Sequence, residues 1–395
     1  MGFGLALPCL LSVRRSVAGE AWEAVLQRSR GVTVWFNAWA GDERTNAFIA
    51  WADARLRELR GIELRHVKLV DTAEAVARVV AELAAGRRSG GSIDLIWING
   101  PNLLAMRERG LLYGPFVERL PGWHRVDTTR KRSNLVDFSM PVDGMACPWR
   151  LAQVVFVHDS ARIADPPRSA EALSRWAQDH PGRFAHPVVS DFLGATFLKQ
   201  ALVDLLADRA PLARPVETVD YATLSDPLWR WYDELRPHLW RRGEQFPASG
   251  PAVRQLMGDG EVDLMISFDP QEASASIVQG LLPPSVRAYV WDRGTIGNTS
   301  FVAIPVNAAH PEAAMVVADF LISPEAQARA EDPRFLGALS VLDVAALPAA
   351  ERALFEVLPR DPATPSREEL GTPVDEPHPS WMSRIITDWE RRYAS

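Results

Sequence analysis

Cysteine is scarce. Only Cys9 and Cys147 occur in 395 residues, and Cys9 lies in a leading segment that processing would remove, so no disulfide framework follows and cysteine does not report the redox compartment. No apolar run approaches the ~20 residues that a membrane-spanning helix needs. A basic stripe is missing as well. Lys and Arg number 43 against 50 Asp and Glu, a formal net charge of −7 with both signs scattered along the chain. That balance argues against nucleic acid or an anionic membrane surface as partner and mildly favours a cationic or zwitterionic ligand. Signatures of chemistry are absent too: there is no G-x-S-x-G elbow, no phosphate loop, no H-E-x-x-H, no C-x-x-C and no dinucleotide glycine fingerprint after a strand. The eight histidines are dispersed, and His66 and His158 read as structural groups. No cofactor and no catalytic residue is nominated.

What is present is an alternation of strands and helices. Residues 32–37 form a nearly continuous apolar strand that ends in a polar loop at Asn37, Trp39, Gly41 and Asp42. A helix carrying Phe48, Trp51, Leu56 and Leu59 follows, closed by Gly61. Residues 62–67 read as a second strand, Asp71 and Glu74 as the capping box of a second helix, and residues 93–98 as a third strand ending at Asn99, Gly100 and Asn102. This order implies a doubly wound parallel sheet, in which ligands bind beyond the carboxyl ends of the strands. Residues 153–158 read as a strand crossing to a second lobe. There, strands at 184–189 and 264–268 end at Ser190, Asp191 and Asp269, and Thr196 lies in the helix that Asp191 opens. The proline-rich stretch 359–379 is expected to be an irregular strap before a final helix bearing Trp381 and Trp389.

Fourteen tryptophans against five tyrosines make tryptophan the prominent aromatic. Trp35, Trp39, Trp97 and Trp149 lie at or beside strand ends, where loops face a cleft. At the N-terminus, residues 3–11 form a short apolar run with Arg14 and Arg15 behind it, whereas a secretory signal carries its positive charge in front. Residues 1–19 are therefore expected to be an atypical or truncated signal segment, with a cytosolic tail as the alternative.

Several motifs together carry a family resemblance: WFNAWAGD at 35–42, INGPNLLAM at 98–106, GTIGNT at 294–299, SPEAQ at 323–327, LDV at 342–344 and EPHPSW at 376–381. Over residues 20–393 the chain resembles ABC transporter solute-binding proteins of the YnjB-like subgroup, within the thiamine, iron and polyamine class. The resemblance implies an α/β type II periplasmic binding fold, with two lobes joined by crossing strands around a cleft. It also implies a periplasmic, monomeric protein that captures a small solute and delivers it to a permease and an ATPase. Ferric-ion carriers of this architecture use adjacent tyrosines, and none of the five here is adjacent to another, so no metal is expected. The first lobe is expected to comprise residues 20–152 and about 300–325, and the second residues 153–299 and about 326–395.

If the lobes close over a ligand, Asn37, Trp39, Gly41, Asp42, Asn99, Gly100 and Asn102 form one wall, with Trp149 nearby. Ser190, Asp191, Thr196 and Asp269 face them, and Thr295 and Asn298 sit at the hinge. Helix starts would donate N–H groups to an anionic part of the ligand. Asp42, Asp191 and Asp269 would hold a cation, and a tryptophan face would stack on it, as suits a zwitterion or a thiamine-like cation. The competing account is that these residues only cap helices and close turns. The rival function is a bilobed α/β enzyme acting on a small molecule, and a weaker third is a cytosolic ligand sensor.

Overall fold

A computed structural model describes residues 21–359 and 361–393. The expectation for residues 1–19, Cys9 included, lies outside the described residues. The apolar runs form strands. Strands β1 (Thr33–Trp39), β2 (Glu63–Leu69) and β3 (Leu95–Ile98) are parallel, with β1 in the middle, as connections long enough to hold a helix allow. The helix Glu43–Arg60 links β1 to β2. It opens on Asp42, which accepts the Thr45 N–H at 3.1 Å, and ends on Gly61 at φ 67°, a left-handed position that suits glycine. The helix Ala73–Ala84 links β2 to β3, and its reciprocal cap is as expected: Asp71 accepts the Ala73 N–H at 2.7 Å while Glu74 accepts the Asp71 N–H at 3.1 Å.

After a small antiparallel pair, β4 (Val136–Asp137) and β5 (Met140–Pro141), strand β6 (Ala146–Gln153) runs into β7 (Val155–Asp159) with only Val154 between them. That single residue carries the chain from one sheet to the other. Strands β7, β8 (Phe184–Ala185), β9 (Leu264–Ser267) and β10 (Val286–Tyr289) form the second sheet in the order β10-β7-β9-β8. The chain then returns: β11 (Ile296–Ala303) enters the first sheet antiparallel to both β3 and β6, and β12 (Val374–Asp375) pairs with its start. Strand β8 is shorter than the expected run to Val189, because Pro187 has no N–H to give a ladder.

Each sheet has its own core. Phe36, Phe48, Leu56, Phe116 and Trp149 bury on the first, and Phe156, Phe184, Phe197, Trp231 and Trp291 on the second. Two stretches pack otherwise than expected. Strand β11 joins the first sheet from Ile296, ahead of residue 300, and Ala326, Ala330, Leu336, Val341 and Leu342 bury in the first core although residues from 326 onward were assigned to the second lobe. The reason is local. The helix Pro324–Glu331 is capped by Ser323, whose Oγ accepts the Ala326 N–H at 3.2 Å, and it follows the helix Pro311–Leu321 so closely that it stays on the same sheet. The final helix Pro379–Tyr393 does bury Trp381, Ile385 and Trp389 in the second core.

Candidate functional site

Between the two sheets lies a cleft of about 670 Å3, lined from both sides. Its floor is the strand pair that crosses between lobes. Arg150 and Ala152 on β6 stand opposite Ser300 and Asn298 on β11, and all four line the cleft, as the two-residue period of a strand requires. On the first-lobe wall Trp39 meets Trp97 edge-on at 6.2 Å, and Trp97 meets the buried Trp149 edge-on at 5.1 Å. The second-lobe wall carries Phe192 and Phe268, 5.7 Å apart. The cleft therefore presents aromatic surfaces on both walls and polar groups on its floor and rims, the usual composition of a small-molecule site.

Of the expected residues, Trp39, Asp42, Asn99, Asn102, Ser190, Asp191, Asp269 and Asn298 line this cleft. The others lie elsewhere. Asn37 is buried within β1, and neither end of its amide finds a partner among the described residues. Gly41 is where a side chain has no room: a Cβ there would fall 2.3 Å from the Trp39 ring, so the glycine lets that ring fold back. Gly100 gives its N–H to the Asp137 carboxylate at 2.6 Å. Trp149 is 1% exposed, stacked on Phe48 at 5.8 Å, because the alternation along β6 turns Arg150 to the cleft and Trp149 to the core. Thr196 bonds the Phe192 carbonyl within its own helix at 2.8 Å, and Thr295 accepts a buried bond from Gln153 at 3.1 Å. Trp35 lies outside, 43% exposed under the Arg65 guanidinium.

The expected cation-holding carboxylates are already engaged. Arg44 reaches Glu272 at 2.9 Å, Asp42 at 3.7 Å and Asp269 at 3.8 Å; Arg254 reaches Glu272 at 3.0 Å and Asp42 at 3.7 Å. Arg44 and Asp42 follow β1 of the first sheet, Asp269 and Glu272 follow β9 of the second and Arg254 lies on the helix before β9, so this buried network ties the two sides of the cleft. Burial alone would lower the Arg44 pKa, yet Glu272, Asp269 and Asp42 together hold it above the ordinary arginine value. Burial raises Asp269 to about 6 against Arg44 and Arg150, whereas Arg44 and Arg254 outweigh burial at Glu272 and bring it down to about 2. Asp191 accepts the Leu193 N–H at 2.9 Å as the cap of the helix Phe192–Leu205, and burial raises its pKa. Asp42 and Asp191 thus cap helices and also line the cleft.

Sequence reasoning missed Arg44, Arg150, Arg254 and Glu272. Arg44 follows Asp42 directly, and Glu272 lies one turn beyond Asp269, so loop position was a usable signal for both. Arg150 and Arg254 had none, since only the pairing of β6 with β11 and the placement of the helix Gly250–Gly258 bring them to the cleft. His66 and His158 are structural as expected. Each bonds a backbone carbonyl at 3.1 Å, and burial holds both below the ordinary histidine pKa.

The profile of the bacterial extracellular solute-binding protein family matches residues 29–356. Protein YnjB of Escherichia coli strain K12 is 38% identical over 395 residues, covering 100% of this chain and 99% of that protein. Among solved structures, the spermidine/putrescine ABC transporter substrate-binding protein PotD of Streptococcus pneumoniae superposes with a TM-score of 0.63 at 12% identity, covering 92% of this chain and 99% of that one. The periplasmic binding protein AfuA of Actinobacillus pleuropneumoniae, solved with fructose-6-phosphate bound, gives 0.64 at 15% identity, covering 92% and 99%. A periplasmic thiamin binding protein gives 0.62 at 16%, covering 91% and 95%. At such identities the structural likenesses speak for the type II periplasmic binding fold. With the family profile and the full-length relative beside them, the chain belongs to the bacterial extracellular solute-binding proteins, the non-enzymatic component of ABC importers that binds a small solute and works with a permease and an ATPase.

Proposed function

We propose that the protein acts in the periplasm as a monomer, holding one small solute in the interlobe cleft between the Trp39–Trp97 wall and the Phe192–Phe268 wall. Asn99, Asn102, Ser190, Asn298 and Ser300 supply polar contacts, and the permease takes the solute from the closed form. In this reading the first lobe comprises residues 21–153 and 296–347, and the second residues 155–290 and 379–393. The observation that carries it is the cleft itself: about 670 Å3, with side chains from both sheets and from both crossing strands. A solute touching both walls binds the closed arrangement better than the open one and so shifts the population toward it. The net charge of −7 argues against nucleic acid as a partner.

The test is a thermal-shift screen of the purified chain against small-molecule pools, followed by calorimetric titration of any hit into the parent and into Trp39→Ala. A solute at a hundredfold excess over Kd stabilises the fold by about 2.7 kcal/mol. We expect one such solute, returned chemically unchanged, with affinity lowered roughly 5- to 150-fold by Trp39→Ala, since a lost aromatic contact is worth about 1–3 kcal/mol. Equal affinity in the variant would remove the proposed wall from the site.

A further inference from the structure

Each cleft-lining charge, with one exception, has a partner. Asp42 and Asp191 cap helices, and Asp71 accepts the Ala73 N–H. Asp269 and Glu272 face Arg44, and Glu272 also faces Arg254. The exception is Arg150. Among the described residues no carboxylate comes within ion-pair distance of it, and its buried Nε has no hydrogen-bond partner. Its guanidinium lies over the Trp97 and Trp149 rings at 5.5 and 5.8 Å, which fixes the fork in place on the cleft floor while leaving its N–H groups without acceptors. Ser300 stands opposite on β11 and Asn298 two residues away on the same face. Asn298 has a buried Oδ1 without a partner of its own.

A guanidinium held between aromatic rings in a partly dry site is costly unless an acceptor completes it. Burial accordingly lowers the Arg150 pKa from the ordinary arginine value, with Asp269 and Asp42 opposing from beyond contact distance. A planar fork of this kind matches the oxygens of a carboxylate, phosphate or sulfonate. On the far wall the nine-residue helix Gly250–Gly258 starts at the cleft, and Ser249 places no side-chain oxygen on its first N–H groups. That end favours negative charge as well.

We propose that the solute carries an oxyanion seated on Arg150, with a flat or apolar body lying between the Trp39–Trp97 and Phe192–Phe268 walls. This departs from the purely cationic ligand and agrees with the zwitterionic one, the two that composition favoured, and it rests on the solute-binding reading of the cleft. The anion completes the one unpaired charge of the site, and the aromatic walls take the remainder of the molecule.

The experiment compares the parent, Arg150→Gln and Arg150→Lys chains. Each is titrated with phenyl phosphate, benzoate, benzenesulfonate and the neutral benzyl alcohol, reading tryptophan fluorescence and the melting midpoint at constant ionic strength. The same chains are then screened against growth-medium extract split by ion exchange into anionic, neutral and cationic fractions. We expect the oxyanions and the anionic fraction to stabilise the parent, benzyl alcohol to do so far less, and Arg150→Gln to weaken oxyanion binding by roughly 10- to 100-fold, the value of a hydrogen-bonded charge. Arg150→Lys should keep part of the effect, and its unliganded melt separates lost binding from lost folding. The ranking of phosphate, carboxylate and sulfonate identifies which oxyanion the site takes. Stabilisation by the neutral or cationic fraction, unaffected by Arg150→Gln, would overturn this inference and leave the solute-binding reading standing. No response to any fraction or probe would overturn both.

Discussion

Asp269 and Glu272, three residues apart, are displaced in opposite directions, the first raised to about 6 by burial and the second lowered to about 2 by Arg44 and Arg254 against its own burial. Their linkage to folding therefore has opposite signs. Asp269 takes up its proton more readily when folded, so its contribution to stability grows as pH falls from 7 toward 4. The Glu272 contribution is fully present above its unfolded pKa of about 4.5 and is lost as pH falls toward 2. Urea midpoints at pH 7.5, 5.5 and 3.5 should show the gain on mild acidification in the parent and its disappearance in Asp269→Asn. Parallel curves for the two proteins would refute the assignment. Arg44 is the hub of the same network. Arg44→Ala leaves the buried Asp269 without an ion-pair partner among the described residues and Glu272 with Arg254 alone, and should cost about 3–5 kcal/mol in urea denaturation, part of it recovered in Arg44→Ala/Asp269→Asn, where a charge is removed along with its partner.

At the scale of elements, a different buried pair joins the helix Phe192–Leu205 to the strap that leads into the last helix. Lys199 and Glu376 are both fully buried, with Nζ 3.0 Å from the carboxylate and the ammonium 4.3 Å from the Phe138 ring centre. Burial lowers Lys199 and raises Glu376, and each opposes the shift in the other. Lys199→Met should destabilise by roughly 3–5 kcal/mol, with Lys199→Met/Glu376→Gln closer to the parent. Hydrogen exchange over residues 371–379 would show the strap loosening first; uniform loosening across both lobes would count against a local role. Gly61→Ala, at φ 67°, should cost about 1 kcal/mol. Elements of this sort were readable in the sequence wherever the signal is local: the Asp71–Glu74 cap, the Gly61 stop and the apolar runs of β1 and β3. Half-legible was the site. Trp39, Asn99, Asn102 and Ser190 follow from the rule that ligands gather at strand ends, whereas Asn298, expected at a hinge, lies within β11. Arg150 escaped because nothing local distinguishes an arginine facing a cleft from one facing water, and Trp149 misled because its neighbour, one residue on, points the other way.

For the whole molecule, the described arrangement is one in which the lobes are held together by charge as well as by chain. Arg44 and Asp42 on one side meet Arg254, Asp269 and Glu272 on the other, and Gln271 adds a 2.7 Å bond to the Glu331 carbonyl. Removing half of this latch should shift the unliganded protein toward an open form. Small-angle scattering of Arg254→Met without solute should give a larger radius of gyration than the parent, and saturating solute should narrow the difference. An unchanged radius would mean that the crossing strands alone set the separation. Those strands also govern how the molecule is made. Strand β11 sits between β3 and β6, yet it is synthesised about 200 residues after the first and about 140 after the second. Until Ala303 has left the ribosome, both neighbours keep a bare backbone edge, and the sheet begun first is the one finished last. A chain with this order of assembly carries unpaired strand edges for most of its synthesis, and such edges are templates for pairing with other chains.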